Sequence, residues 1–157
     1  MRRVFTTALM VLIILLLPLI VVAGCLAMLV FVFYRISLYL LVWSCWCTRG
    51  RNVLLVYSES PLWYDDIRAT VIPKLPGSSN VLNWSQRRTW KWYQLSVHVA
   101  RHFGGNREFN PIVVIFRPFR PAKIFRFWSA FKDQKHGKTE TLVSLKREMF
   151  ESISRPG

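Results

Sequence analysis

Between Val4 and Tyr34 the chain carries no charged side chain, and as far as Thr48 the single interruption is Arg35. A helix crossing a hydrocarbon core roughly 30 Å thick needs about 20 apolar residues, and this run exceeds that. A buried helix of a small soluble fold does not stay apolar on every side for such a length. The run therefore predicts one transmembrane helix from about Leu9 to Phe33, followed by an interfacial helix through Trp46. Tyr34, Tyr39, Trp43 and Trp46 form an aromatic belt at the headgroup boundary, where Arg35 can snorkel. Pro18 and Gly24 are expected to bend the span without breaking it.

Two other readings use the same residues. The run could turn near Gly24 into a hairpin of two short spans. It could also be a leader peptide, because Arg2 and Arg3 make a basic start and Val22-Ala23-Gly24-Cys25 resembles a lipoprotein cleavage box with Cys25 as the lipidated residue. The apolar run continues past Cys25 to Phe33, where a lipoprotein would turn into a polar linker, and small residues are common inside spanning helices.

The charge lies elsewhere. The chain has 22 Lys and Arg against eight Asp and Glu, a formal net charge of +14, yet is 52% hydrophobic. All the acidic residues and all but three of the basic ones come after Thr48. The organisation predicted is an anchor with an interfacial aromatic segment over residues 1–48 and a basic α/β domain over 49–157. This apolar content excludes whole-chain disorder. Three cysteines, Cys25, Cys45 and Cys47, all within the anchor, exclude a disulfide scaffold. Arg2 and Arg3 flank one end of the span and Arg35, Arg49 and Arg51 the other. The more basic flank favours an integral protein of a bacterial plasma membrane with its C-terminal domain in the cytoplasm.

Within the domain, strand and helix patterns alternate. Asn52 to Ser58 and Asn80 to Trp84 read as short strands, and Pro111 to Phe116 is the most strand-like run in the chain. Between them, Ser60-Pro61 starts a helix whose packed face is Leu62, Trp63, Ile67, Val71 and Ile72. A second helix carries Trp92, Leu95, Val99 and His102 or Phe103 until Gly104-Gly105 stops it. A C-terminal helix from about Thr139 to Ile153 has the stripe Leu142, Leu145, Met149 and Ile153. Continuous apolar strands suggest burial on both faces and parallel pairing. The expected fold class is therefore α/β: a transmembrane helix, then a small three-layer parallel sheet, Rossmann-like or flavodoxin-like, with strand order 2-1-3. Residues 122–134 are ambiguous. Ile124, Phe127, Trp128 and Phe131 could form a basic amphipathic helix on a bilayer or pack on the sheet, and Lys123 to Phe127 could be a fourth strand.

In a parallel sheet, ligands collect at the carboxyl ends of the strands. Those ends carry Ser58, Glu59 and Ser60, then Asn83, Ser85, Arg87 and Arg88, then Arg117 and Arg120. Together they would form an anion site suited to a phosphate, a nucleotide or an acidic headgroup. Glu59 is the one catalytic candidate, better placed among guanidiniums to orient a ligand than to donate a proton. Ser60 has no neighbouring His and reads as a helix cap. His98 and His102 share a helix face, with His136 as a third nitrogen donor, but lack the carboxylate of a zinc helix motif, so no metal is predicted. Gly137-Lys138-Thr139 resembles the end of a phosphate loop, yet Lys132 stands where that loop needs glycine, and the residues read as a turn and an N-cap. Gly104-Gly105-Asn106-Arg107 likewise reads as a helix stop. No cofactor motif is complete, and no cofactor is expected.

These features predict a non-enzymatic membrane-anchored module that binds anionic lipid, a phosphate-bearing ligand or an acidic partner. The alternative is an enzyme acting on a nucleotide or sugar nucleotide at the strand ends. A third reading, nucleic-acid binding, rests on Trp84, Arg87, Arg88, Trp90, Lys91 and Trp92, where aromatics could stack on bases and cations track phosphates. It lacks any recognised nucleic-acid motif, and the membrane already supplies an anionic surface.

Overall fold

The structure is a computed structural model that describes residues 2–105 and 110–155, with side chains from residue 15 onward. The chain divides into two compact units, Met1–Tyr39 and Leu40–Gly157. The first consists of one helix, α1 (Arg2–Cys45), whose last turns belong to the second unit. Pro18 lies inside it without ending it, and the chain does not turn at Gly24, so the hairpin alternative is excluded. Cys25 sits exposed in mid-helix. Among the described residues, Leu15–Arg49 is the one segment long and apolar enough to cross a membrane, with mean hydropathy 2.9 and none of that window buried. The helix also runs straight through the residues assigned to a separate interfacial helix, as far as Cys45.

The second unit is an α/β arrangement around a four-stranded sheet of order β2-β1-β3-β4. Its strands are β1 (Val53–Tyr57), β2 (Asn80–Asn83), β3 (Ile112–Arg117) and β4 (Arg120–Arg126). The apolar runs of β1 and β3 are buried along nearly their whole length, as a central strand requires. On one face Val53, Leu55, Val113, Ile115 and Phe125 join a core with Trp63, Ile67, Phe131, Leu142 and Met149. Those partners come from the short helix α2 (Tyr64–Asp66) and the π-turn that continues it, from α4 (Trp128–Lys135) and from α5 (Glu140–Ser154). On the other face Leu54, Val56 and Val114 are equally buried. There α3 (Leu95–Gly104) packs on β1 and β2, and Phe116 lies between Phe103 and Trp46, at 5.3 and 5.9 Å between ring centroids.

The order 2-1-3 matches expectation, but the parallel sheet does not. Only β1 and β2 run parallel; β3 is antiparallel to β1, and β4 to β3. The position of the α3 C-terminus goes with this arrangement. Arg126 donates from Nη1 to the carbonyl of Gly104 at 2.6 Å and from Nη2 to that of Phe103 at 3.0 Å, filling the acceptors that a helix end leaves open. Arg126 is in register with Ile112, and Ile112 with Val56, so α3 ends beside the carboxyl end of β1. The chain must enter β3 from that end and run back. A mixed sheet thus replaces the Rossmann-like or flavodoxin-like parallel one.

The ambiguous residues 122–134 divide between the end of β4 and α4. Phe125, Phe127, Ala130 and Phe131 are buried in the core, so most of this aromatic set serves packing. Gly137, at φ 83, makes the turn that leads from α4 towards α5. Thr139 occupies the N-cap position of α5 without a side-chain capping bond.

Candidate functional site

The parallel β1–β2 pair brings one predicted group together. Beyond its carboxyl ends, Asn83 donates from Nδ2 to Glu59 Oε1 at 2.7 Å and accepts at Oδ1 from the Ser85 backbone N–H at 2.9 Å. The Glu59 backbone N–H donates to Ser85 Oγ at 3.0 Å. Ser58 Oγ accepts from Trp63 Nε1 at 3.2 Å, and Ser60 Oγ from the Leu62 backbone N–H at 3.4 Å. These polar groups mainly satisfy one another and the local backbone. Arg87 and Arg88 are exposed, and the Arg87 guanidinium lies 5.6 Å from the Trp84 ring centre. Glu59 has no ion-pair partner among the described residues. Nearby, burial first and then Tyr64 and Glu59 hold the Tyr57 phenol above its ordinary pKa, while Arg68 opposes them.

Arg117 and Arg120 do not join this group. Because β3 runs back, its carboxyl end meets the amino end of β1, where the Phe116 N–H donates to the Asn52 carbonyl at 2.8 Å. The predicted nine-residue convergence is therefore divided between opposite ends of the sheet. Arg117 and Arg120 lie instead at the end where the chain enters β1 through Arg49 and Arg51.

There they line a groove of about 300 Å³ with Lys123 and Ser152. Arg117 donates from Nη2 to the Ser152 carbonyl at 2.8 Å. Lys123 donates to Ser152 Oγ at 3.0 Å and pairs with Glu148 at 2.8 Å. Among the described residues Glu148 pairs with Lys123 alone, and Arg49, Arg51 and Arg120 are all exposed. Pro118 and Phe119 form the two-residue turn between Arg117 and Arg120, which pair in register. On the other flank of that turn is a mostly apolar groove of about 400 Å³, lined by Leu40, Trp43, Pro118 and Phe119 among others. The sequence reading missed Lys123 as a member of the first groove and Phe119 as a member of the second. The available signal was a proline in the second position of a turn, bracketed by arginines and followed by a strand-like run.

The remaining candidates stand apart. His98 and His102 share α3, and His136 follows α4. Among the described residues no three metal-ligating side chains come together. Gly105, at φ 71, closes α3, while Asn106 and Arg107 lie outside the described residues. In the aromatic and basic stretch, Trp84 and Trp90 meet edge to face at 5.4 Å, whereas Trp92 and Tyr93 are 76% and 62% exposed. No protein-family model matches the chain, and no curated protein or solved structure matches it significantly.

Proposed function

We propose that the protein is a non-enzymatic membrane-anchored module. In this reading residues 1–48 anchor it in a bacterial plasma membrane, and the basic α/β domain of residues 49–157 meets the anionic cytoplasmic leaflet. The observation that carries the reading is that Arg117, Arg120 and Lys123 line one groove at the sheet end where the Phe116 N–H meets the carbonyl of Asn52, the residue after Arg51. Cations beside an anionic surface contribute about 1 kcal/mol each within a Debye length, and that attraction is screened by salt.

Hydrogen exchange of the full chain in vesicles tests the proposal. With anionic lipid, amides of the β3–β4 hairpin should gain protection over purely zwitterionic vesicles, and the gain should shrink as salt rises. Equal protection in both vesicle types would overturn it.

A second reading, an enzyme acting on a nucleotide or sugar nucleotide, draws on the Glu59–Asn83–Ser85 cluster at the carboxyl ends of the parallel pair. It predicts saturable thermal stabilisation by such a ligand, lost in Glu59→Ala. A nucleotide panel without any stabilisation removes it.

A further inference from the structure

Phe119 is 89% exposed at the tip of a two-residue turn and has φ 57, a backbone conformation that glycine adopts freely and a bulky side chain avoids. Folding alone would favour a glycine or an asparagine there. Its ring stands 5.3 Å from that of Trp43. Trp43 belongs both to the second unit and to the segment Leu15–Arg49 that can cross a membrane. Guanidiniums bracket the tip at Arg117 and Arg120, and the groove beside it is mostly apolar. An aromatic side chain at the water boundary of a bilayer, flanked by cations that can reach lipid phosphates, is the arrangement of an interfacial anchor.

We infer that the β3–β4 turn is a second membrane contact, in which Phe119 enters the interfacial layer of an anionic bilayer beside Trp43 while Arg117 and Arg120 engage the headgroup phosphates. The inference rests on the proposed lipid-facing role of this end of the domain and adds to it a depth and a named wedge. Charge complementarity selects the occupant: the tip presents two guanidiniums and an aromatic ring, which suit a phosphate layer over hydrocarbon. The contact with Trp43 puts the tip at the depth of the last turns of the helix.

The experiment is a depth measurement on the full chain in vesicles containing anionic phospholipid. Cys25, Cys45 and Cys47 are replaced by Ser, and a nitroxide is attached at Phe119→Cys or, as the reference, at Gln86→Cys. The probe at 119 should be several-fold more accessible to oxygen than to a water-soluble nickel chelate, and the probe at 86 should show the reverse. Arg120→Gln, at an exposed position, should raise the nickel accessibility of the 119 probe. Aqueous exposure at 119 equal to that at 86, with lipid-dependent exchange protection of the hairpin retained, overturns the insertion and leaves the proposed function standing. Loss of the protection as well overturns both. Equal depth in zwitterionic vesicles would overturn the role assigned to the guanidiniums.

Discussion

Lys146 Nζ lies 2.6 Å from Asp66 Oδ2 and 2.9 Å from Thr70 Oγ1, joining α5 to the helical segment that follows β1. The pair is largely shielded, with side chains 16% and 29% exposed. Removing the ammonium leaves a carboxylate with reduced hydration and no partner, so Lys146→Met should lower stability by about 1–3 kcal/mol. A denaturant-unfolding cycle with Asp66→Asn should give a coupling of at least about 0.5 kcal/mol. Additive effects would mean that the pair contributes little.

Phe131 is fully buried where α4 and α5 meet the sheet, with Trp63 and Phe127 at 6.1 and 6.4 Å. Phe131→Ala should cost about 3–5 kcal/mol through lost apolar contact and a residual cavity. That approaches the whole stability of a marginal domain, so calorimetry of the variant should show a lost or much lowered transition. Phe131→Leu, which keeps most of the volume, should cost less.

Glu59 and Arg117 lie at opposite ends of the sheet because β3 runs back along β1. Substitutions at the two should act independently, with stability effects that add within about 0.5 kcal/mol. A ligand that needs both residues, as a parallel sheet would have required, should not be found. Non-additive loss of stability or of ligand-induced stabilisation in the double variant would contradict the antiparallel arrangement.

Tyr57 supplies a pH dependence. Burial, Tyr64 and Glu59 favour its neutral phenol, so its folded pKa exceeds the ordinary value of about 10. Between the two values the folded state binds more protons than the unfolded state. The stabilisation is therefore full below about pH 10 and is lost as pH rises through the folded value. Unfolding midpoints measured between about pH 8 and 12 should fall more steeply for the native chain than for Tyr57→Phe. Parallel curves would show that the phenol does not contribute.

The turn conformation at Phe119 separates stability from the proposed membrane contact. A side chain in the left-handed region costs about 1 kcal/mol that glycine avoids. Phe119→Gly should thus be more stable than Phe119→Ala by about that amount in thermal unfolding, although both lose the ring against Trp43. Equal stability would mean that the turn relaxes when the phenylalanine is removed.

The long apolar helix was legible because nothing in its length needs a distant partner to explain it. The strands and the order of the first three were legible from the apolar runs and the rule that successive elements are neighbours. The direction of β3 was not. A strand covered on both faces has the same apolar pattern whether parallel or antiparallel. The antiparallel direction goes with Arg126 reaching the last carbonyls of α3, a contact made only after folding and invisible in the local pattern. That difference also decided the site. Ser58, Glu59, Ser60, Asn83 and Ser85 follow from the β1–β2 pair and do gather at its ends, whereas Arg117 and Arg120 depended on β3 and went to the other end. The ring of Phe119 had no place in a reading that ended the third strand at Phe116 and left Lys123 to Phe127 open between a helix and a fourth strand.

The open borders of the sheet show a further use of the basic residues. β2 is a four-residue border strand with asparagine at each end, and β4 forms the other border with Arg120, Pro121, Lys123 and Arg126 along it. A free border is a template on which another chain can add a strand, and short length, proline and cations are what discourage that addition. In the proposed membrane-anchored state, where copies would be confined to two dimensions and meet often, the exposed Arg120 on this border would also discourage neighbouring molecules from pairing their sheets.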